Sequence, residues 1–219
     1  MEQQVTPKEK ILKKVRQALK NKSKSLYLNI DLDTNVFKQA PDGEKMLETF
    51  AKAFTLQNGE FIFCDNRFDF IDKLLTLLEQ KKWKHFFCWE RQLQDMLKDT
   101  GINFTYKKDN LEKIQASITG CEALISRTGT VLISSQRNSR TLTIWPPAHL
   151  VVAYKSQLVM ELKDGLQLVR NRYGKNSPSM LNFISGPSRS SNIENTMTIG
   201  AHGPVEFFVF LIDDVMKSD

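Results

Sequence analysis

The sequence has no apolar run that approaches the roughly 20 residues required by a membrane-spanning helix. Its first residues also lack the apolar segment of a secretory signal, so we expect a cytoplasmic protein. Ten Gly and seven Pro among 219 residues indicate no fibrous or disordered bias. Together with 41% apolar residues, this composition predicts one folded domain with a full hydrophobic core.

Cysteine is scarce, with Cys64, Cys88 and Cys121 far apart and beside apolar residues. An odd and scattered set does not suit a disulfide framework, so we expect buried thiols in a reducing compartment. The sequence also has no close spacing of His, Cys, Asp and Glu that would predict a metal site.

The motifs of several large enzyme classes are missing. The sequence has no Gly-Lys-Ser/Thr of a P-loop, no Gly-x-Gly-x-x-Gly of a dinucleotide-binding fold and no Gly-x-Ser-x-Gly of a hydrolase. It also lacks the cysteine run of an iron–sulfur protein. We therefore expect no cofactor in this chain.

The net charge of +6 raises the question of nucleic-acid binding. Residues 1–24 carry eight Lys or Arg against two Glu, whereas the rest of the chain holds 23 basic and 23 acidic residues. A nucleic-acid-binding domain normally spreads its positive charge over the folded surface. The distribution argues against that function and leaves binding through a basic N-terminal helix as the weakest of three hypotheses.

The N-terminal segment predicts an amphipathic helix. Residues 6–9, Thr-Pro-Lys-Glu, combine a capping residue, a first-turn proline and a third-position Glu, and apolar residues recur at helical spacing through residues 11–19. This helix can pack on its own domain or on a neighbouring subunit, which leaves a homo-oligomer open. We predict a helix and connector over residues 1–42 and an α/β domain over residues 43–219.

Beyond residue 43, apolar stripes at helical spacing alternate with short apolar runs, which predicts a parallel sheet with helices on its faces. Short turns then connect successive strands, so the sheet becomes mixed. The predicted fold class is α/β, with a mixed, mostly parallel sheet flanked by helices. The predicted strands span residues 61–64, 85–88, 104–106, 123–125, 131–133, 141–144, 150–153, 181–185 and 205–212, and the predicted helices span residues 46–54, 68–78, 93–97, 111–117 and 159–172.

Four polar segments rich in Gly, Pro and hydroxyl side chains interrupt the apolar strands: residues 126–130, 145–149, 185–189 and 200–204. Loops at strand ends in α/β folds converge into ligand crevices, so we expect these four to meet. Their residue types suit an anion or a carbonyl group.

The segment after the strand at 181–185 is the most specific of the four. We expect Ser188 to cap a helix whose first turn carries Asn192 and Glu194, so that free backbone N–H groups beside Arg189 form a cradle for a carboxylate or phosphate. An ordinary loop with a capping serine is the alternative. The candidate ligand-binding residues here are Ser185, Gly186, Pro187, Ser188, Arg189 and Asn192.

The other segments are weaker taken singly. Thr128, Gly129 and Thr130 suit a hairpin turn, and they become ligand-binding candidates only if the other loops lie nearby. His149 and His202 flank Pro or Gly turns, where either can act as a general acid or base or donate to a carboxylate. A structural histidine is the alternative for both, and we assign His85 to structure.

Four segments in order resemble the lactate-utilization domain family: Cys-Glu-Ala-Leu-Ile-Ser-Arg-Thr-Gly-Thr-Val-Leu, Trp-Pro-Pro-Ala-His-Leu-Val-Val-Ala, Ser-Gly-Pro-Ser-Arg-Ser-Ser-Asn-Ile-Glu and Gly-Ala-His-Gly-Pro. The resemblance implies a fold similar to the ribose-phosphate isomerase, glucosamine-phosphate deaminase and CoA-transferase group. It also implies a non-redox subunit of an operon-encoded system that oxidises L-lactate to pyruvate, with iron–sulfur clusters in partner subunits. This chain would bind a small carboxylate or stabilise the complex.

The polar loop residues that the resemblance carries over are Glu122, Thr128, Gly129, Thr130, His149, Gly186, Pro187, Ser188, Arg189, Glu194, His202 and Gly203. In the leading hypothesis Arg189 pairs with the carboxylate. A second hypothesis is a CoA-transferase-like or sugar-phosphate isomerase-like enzyme with Glu122 or Glu194 as base or nucleophile. The chain departs from the family at Arg127, where an acidic residue is usual, and at residues 190–192, where Thr-Ala-Asp is usual.

Overall fold

A computed structural model describes residues 6–20, 44–106, 111–136, 145–191, 197–200 and 203–214. The chain divides into two compact units, residues 1–39 and 40–219. The predicted connector after residue 20 and the predicted strand at residues 141–144 lie outside the described residues. Among the described residues, no helix is long and apolar enough to cross a membrane.

The first unit contains helix α1 (Pro7–Lys20). The Glu9 N–H donates to Thr6 Oγ1 (3.3 Å), and the Thr6 N–H donates to Glu9 Oε2 (3.0 Å). This reciprocal capping box satisfies two N–H groups that the helix leaves without intrahelical partners. The predicted helix start is confirmed.

The second unit holds the remaining described helices and strands. In chain order they are α2 (Glu44–Leu56), β1 (Glu60–Cys64), α3 (Arg67–Lys81), β2 (Phe86–Cys88), α4 (Arg91–Leu97), β3 (Phe104–Thr105), β4 (Ala116–Gly120), β5 (Ala123–Ile125), β6 (Thr130–Ser134), β7 (Ala148–Tyr154), β8 (Leu158–Val159), α5 (Leu162–Tyr173), β9 (Leu181–Ile184), β10 (Arg189–Ser191), β11 (Met197–Ile199) and β12 (Glu206–Ile212).

A six-stranded parallel sheet forms the centre of this unit, in the order β1-β12-β7-β4-β2-β3. Alternate residues of β12 face opposite layers: Phe208 and Phe210 pack with α3 and α4, whereas Phe207 and Val209 pack with α2 and a second sheet. Burial on both faces explains the nearly continuous apolar sequence of this strand. The predicted α/β class with a mostly parallel sheet is confirmed.

The second sheet has the order β8-β5-β6-β9, with β5, β6 and β9 antiparallel and β8 parallel to β5. Its strands place Leu124 and Val131 against the parallel sheet, while Ile125 and Leu132 pack with Val169 of α5. The strands β10 and β11 form a separate antiparallel pair. Of the described strands expected to follow one another through short turns, those at residues 123–125 and 131–133 build the second sheet as a separate layer. The strand at residues 150–153 instead becomes β7 of the central parallel sheet.

Two predicted helices are corrected. The helix expected at residues 111–117 is a single 3-10 turn, Leu111–Lys113, followed by the central strand β4. Tertiary pairing decides this, because β4 lies between β2 and β7 and both neighbours require its backbone groups. The helix expected at residues 159–172 begins at Leu162, because Leu158 and Val159 pair with β5.

Candidate functional site

The structure brings the four predicted segments into a chain of contacts. Thr130 Oγ1 and Ser185 Oγ lie 2.8 Å apart and share a hydrogen bond. The Ser188 N–H donates to the Pro204 carbonyl (2.8 Å), and the Val205 N–H donates to the Pro147 carbonyl (2.7 Å). We call this group of residues 126–130, 145–147, 185–189 and 203–205 the loop surface.

Two glycines fit the loop surface against the end of α2. A Cβ atom at Gly129 would lie 2.3 Å from the Phe54 nitrogen, and one at Gly186 would lie 2.5 Å from the Gln57 carbonyl oxygen. Gly129 also has a φ of 59°, a left-handed conformation that suits glycine. The glycines of both motifs are therefore explained by close backbone approach to α2, with no ligand required.

Arg189 projects from the loop surface and is exposed. One of its guanidinium N–H groups donates to the Gln57 carbonyl (2.5 Å), just beyond the C-terminus of α2, where a cation is stabilised by the helix dipole. Within the described part of the chain its side chain makes no other hydrogen bond or ion pair. Its other N–H groups can bind a carboxylate, which is the chemistry predicted for this residue.

The helix predicted to begin after Ser188 is wrong, because residues 189–191 form β10 and pair with β11. Ser188 donates its N–H to Pro204 and accepts the Gly200 N–H (2.9 Å), so its backbone groups are used by distant residues and not by a helical turn. The predicted site residues Asn192, Glu194 and His202 lie outside the described residues.

His149 lies in β7 with no solvent exposure. Its Nε2 atom shares a hydrogen bond with Thr119 Oγ1 (2.8 Å), and its ring centroid is 5.1 Å from that of Phe207. Burial lowers the pKa of His149 from 6.5 to about 3, so the ring is neutral at physiological pH. A buried ring does not reach the loop surface in this conformation, and its acid–base role stays a prediction.

The buried ring makes stability depend on pH. Because the folded-state pKa of His149 lies below the ordinary value, the unfolded chain takes up this proton first as pH falls, and the stabilisation present above pH 6.5 is lost toward pH 3. Between about pH 7 and pH 5 the wild type should lose about 2 kcal/mol more unfolding free energy than His149→Gln. Urea titrations at both pH values check this, and equal losses in the two proteins would contradict it.

Glu122 is separated from the loop surface. Its carboxylate is buried and accepts hydrogen bonds from Ser134 (2.6 Å) and Tyr173 (2.7 Å), and it forms an ion pair with Arg172. Ser134 ends β6 and Thr130 begins it, so the two ends lie roughly 13 Å apart at 3.3 Å per residue. Through these contacts the Glu122 carboxylate holds the end of β6 against the end of α5. The predicted role of Glu122 as a base or nucleophile stays a prediction.

A crevice of about 360 Å³ that was not predicted from the sequence lies beside Trp89, Glu90 and Gln136. It opens at the carboxyl ends of β2 and β4, two neighbouring strands whose onward connections run in opposite directions across the sheet. Such a topological switch point is the usual ligand position in open α/β sheets. Glu90 Oε1 accepts the Gly120 N–H (2.5 Å) and joins the two strand ends. Polar residues directly after the β2 strand were the available signal.

The described residues show no arrangement of side chains that suits a metal ion or an iron–sulfur cluster. Across the described residues, no group of three or more His, Cys, Asp or Glu side chains is arranged to hold a metal ion. Cys64 and Cys88 end strands that are four positions apart in the sheet, or roughly 19 Å at 4.8 Å per strand, so they do not fit one cluster. Burial raises the pKa of Cys64 to about 11 and that of Cys88 to about 12.

The family model for the LUD domain matches residues 47–212, which include the loop surface. Lactate utilization protein C 1 of Bacillus mycoides is 31% identical over 133 residues, covering 59% of this chain and 53% of that protein. Lactate utilization protein C of Bacillus subtilis is 30% identical over 106 residues, covering 47% and 44%. The chain thus spans about half the length of these curated relatives.

A longer match is with lactate utilization protein C of an Exiguobacterium species, 26% identical over 78% of this chain and 80% of that protein. Among solved structures, a DUF162 family protein from Deinococcus radiodurans has a TM-score of 0.61 at 17% identity, over 79% of this chain and 99% of that one. At this identity the structural match supports the fold alone. The range matched by the family model covers the motifs that suggested the resemblance.

Proposed function

Because the chain belongs to the LUD domain family, we propose that it is a non-redox subunit of an iron–sulfur system that oxidises L-lactate to pyruvate. Oxidation of lactate to pyruvate removes two electrons and two protons and therefore requires an electron acceptor. We assign that role to iron–sulfur clusters in partner subunits. The absence of any iron–sulfur cysteine run in the sequence supports this division. Relatives named lactate utilization protein C support a role in lactate utilization.

The continuity of the loop surface is the observation that carries this proposal. In addition to Arg189, the loop surface exposes Trp145 (58% exposed) and Val205 (47%). Leu56 (80% exposed) directly precedes Gln57, whose carbonyl accepts the Arg189 hydrogen bond. Exposed aromatic and arginine side chains are enriched at the centres of protein interfaces. We assign this surface to contact with the partner subunits, with Arg189 pairing a carboxylate of either the partner or the substrate.

The test is purification of the tagged chain from its native host grown on lactate, with bound iron and lactate-dependent dye reduction measured in the eluate. For Arg189→Ala we expect at least a tenfold loss of both signals, because a charge-assisted bidentate pair contributes about 1.5–3 kcal/mol. Arg170→Ala, which removes an exposed arginine of α5, is the matched control and should retain both signals.

Two results would count against the proposal. If the wild-type chain elutes alone and without iron, it is not a stable subunit, and a stand-alone CoA-transferase-like or isomerase-like enzyme becomes the better hypothesis. If Arg189→Ala and Arg170→Ala behave alike, Arg189 is not at the interface. If Arg189→Ala does lower both signals, calorimetry of L-lactate with the isolated wild type and with isolated Arg189→Ala separates a substrate carboxylate from a partner carboxylate. Only if Arg189 binds the substrate should the variant weaken L-lactate binding to the isolated chain.

A further inference from the structure

A cavity of about 310 Å³ lies outside the loop surface, at the amino ends of the neighbouring strands β4, β2 and β3. The loop surface reaches the same edge of the sheet at β7 and β12, and β7 is two strands from β2, or roughly 10 Å. Gln115 connects the two regions, because its N–H donates to the His85 carbonyl (3.0 Å) and its carbonyl accepts the Ala148 N–H (3.2 Å).

The described lining includes the polar residue Thr105, and three further polar side chains lie at the cavity: His85, Asn103 and Lys113. Within the described part of the chain, none of the three side chains makes a hydrogen bond or an ion pair. Among the described residues that line the cavity there is no Asp or Glu, and Lys113 carries the one full charge. Convergent donors without partners, beside a single cation, fit an anion that carries one charge.

His85 is held in place by its backbone. Its N–H donates to Gln115 Oε1 (3.2 Å) and its carbonyl accepts the Gln115 N–H, so the residue is fixed beside the first residue of β2 while its side chain is exposed. The sequence-based assignment of His85 to an apolar strand is wrong, because β2 begins at Phe86. Because the backbone is already held, only the side-chain torsions of His85 must be ordered when the imidazole donates to a carboxylate.

The wall of the cavity is apolar. Phe86 and Ile114 are 3% and 6% exposed, and Phe104 is half-buried beside them. The accessible part of this wall belongs mainly to Phe104, and an anion with a carbon skeleton can cover it, whereas a bare inorganic anion leaves it in contact with water. The described lining also has no arginine, the side chain that binds phosphate in a bidentate way. A monocarboxylate therefore fits the lining better than a phosphate.

We propose that this cavity is a binding site for a small organic monocarboxylate, with Lys113 and His85 on the carboxylate, Asn103 on a neighbouring oxygen, and the carbon skeleton against Phe86 and Ile114. The site does not depend on the proposed function, because binding to it is a property of the isolated chain. If both proposals hold, the carboxylate lies on the same edge of the sheet as the surface assigned to the partner subunits.

Isothermal titration calorimetry of the full chain at low salt tests this, with L-lactate, pyruvate and hexanoate as probes and uncharged lactamide and inorganic phosphate as controls. At least one carboxylate should bind with a dissociation constant on the order of 1 mM, and Lys113→Gln should weaken it at least tenfold by removing the charge-assisted contact. His85→Gln should weaken it several-fold. Lys84→Gln, an exposed neighbour that does not line the cavity, should bind like the wild type.

The proposal fails if no carboxylate gives heat at concentrations on the order of 10 mM. It also fails if lactamide or phosphate binds as tightly as the carboxylates, or if Lys113→Gln binds them like the wild type. Arg189→Ala separates this outcome from the proposed function. If the cavity is the site, that variant loses the partner subunits but keeps the calorimetric signal, whereas Lys113→Gln loses the signal of the isolated chain.

Discussion

Replacing Gly129 with alanine is expected to lower the free energy of unfolding by about 4 kcal/mol or to prevent folding. The new Cβ would lie 2.3 Å from the Phe54 nitrogen and 2.5 Å from the Ala53 carbonyl carbon, both in the backbone of α2, so no side-chain rotation relieves the clash. The left-handed φ of 59° adds a conformational cost of about 1 kcal/mol. Urea unfolding followed by circular dichroism measures the loss.

Gly101→Ala is the matched control for this prediction. Gly101 has a φ of 75°, but a Cβ atom there would have no neighbour within 4 Å. The Gly101→Ala variant should therefore lose only about 1 kcal/mol of unfolding free energy, which is the cost of the left-handed conformation. The difference between the two variants isolates the close approach of the loop surface to α2. Equal losses would contradict that approach and the explanation given for the glycine in the Thr-Gly-Thr motif.

The fold class was predictable because its signals are local. The parallel layer follows from short apolar runs that alternate with apolar stripes at helical spacing. The start of α3 is local as well, because Asn66 accepts the Phe68 and Asp69 N–H groups within the same turn. The strand β4 gave no such signal. Its Ala-Ser-Ile-Thr-Gly sequence places polar Thr119 in a buried layer, where His149, 30 residues away, satisfies it. A strand whose buried polar residue depends on a hydrogen bond to a distant residue does not show a strand pattern in its own sequence.

The candidate site shows the same limit. The meeting of the four segments was expected from their position at strand ends and from their Gly and Pro content. Residues 145–147 and 203–205 precede β7 and β12, so they lie at the amino edge of the parallel sheet and not at the carboxyl edge, where ligand crevices usually form. The helix after Ser188 was not correctly predicted, because a serine that suits a helix cap also suits the position before β10. There its N–H donates to the Pro204 carbonyl, and β10 pairs with β11. The cavity beside His85 and Lys113 depends on strands meeting at one edge of the sheet, and no spacing in the sequence encodes it.

Replacing Glu122 with alanine is expected to lower the free energy of unfolding by about 3–5 kcal/mol. The Ser134 hydroxyl is fully buried and would lose its acceptor, as would the Tyr173 hydroxyl and the Arg172 guanidinium. Ser134 ends β6 and the other two residues end α5, so the carboxylate joins these two elements, and Arg172 lies 50 residues from Glu122 in sequence. Thermal or urea unfolding gives the size of the loss.

Two further variants separate this structural role from a catalytic one. Glu112→Ala, at an exposed glutamate before β4, should change the free energy of unfolding by less than about 0.5 kcal/mol. Glu122→Gln keeps a hydrogen-bond acceptor for Ser134 or Tyr173 and loses the charge that pairs with Arg172, so its loss should lie between those of the two alanine variants. If Glu122→Gln were as stable as the wild type but lost all lactate-dependent activity, the anchor assignment would be wrong and the carboxylate would belong to the chemistry.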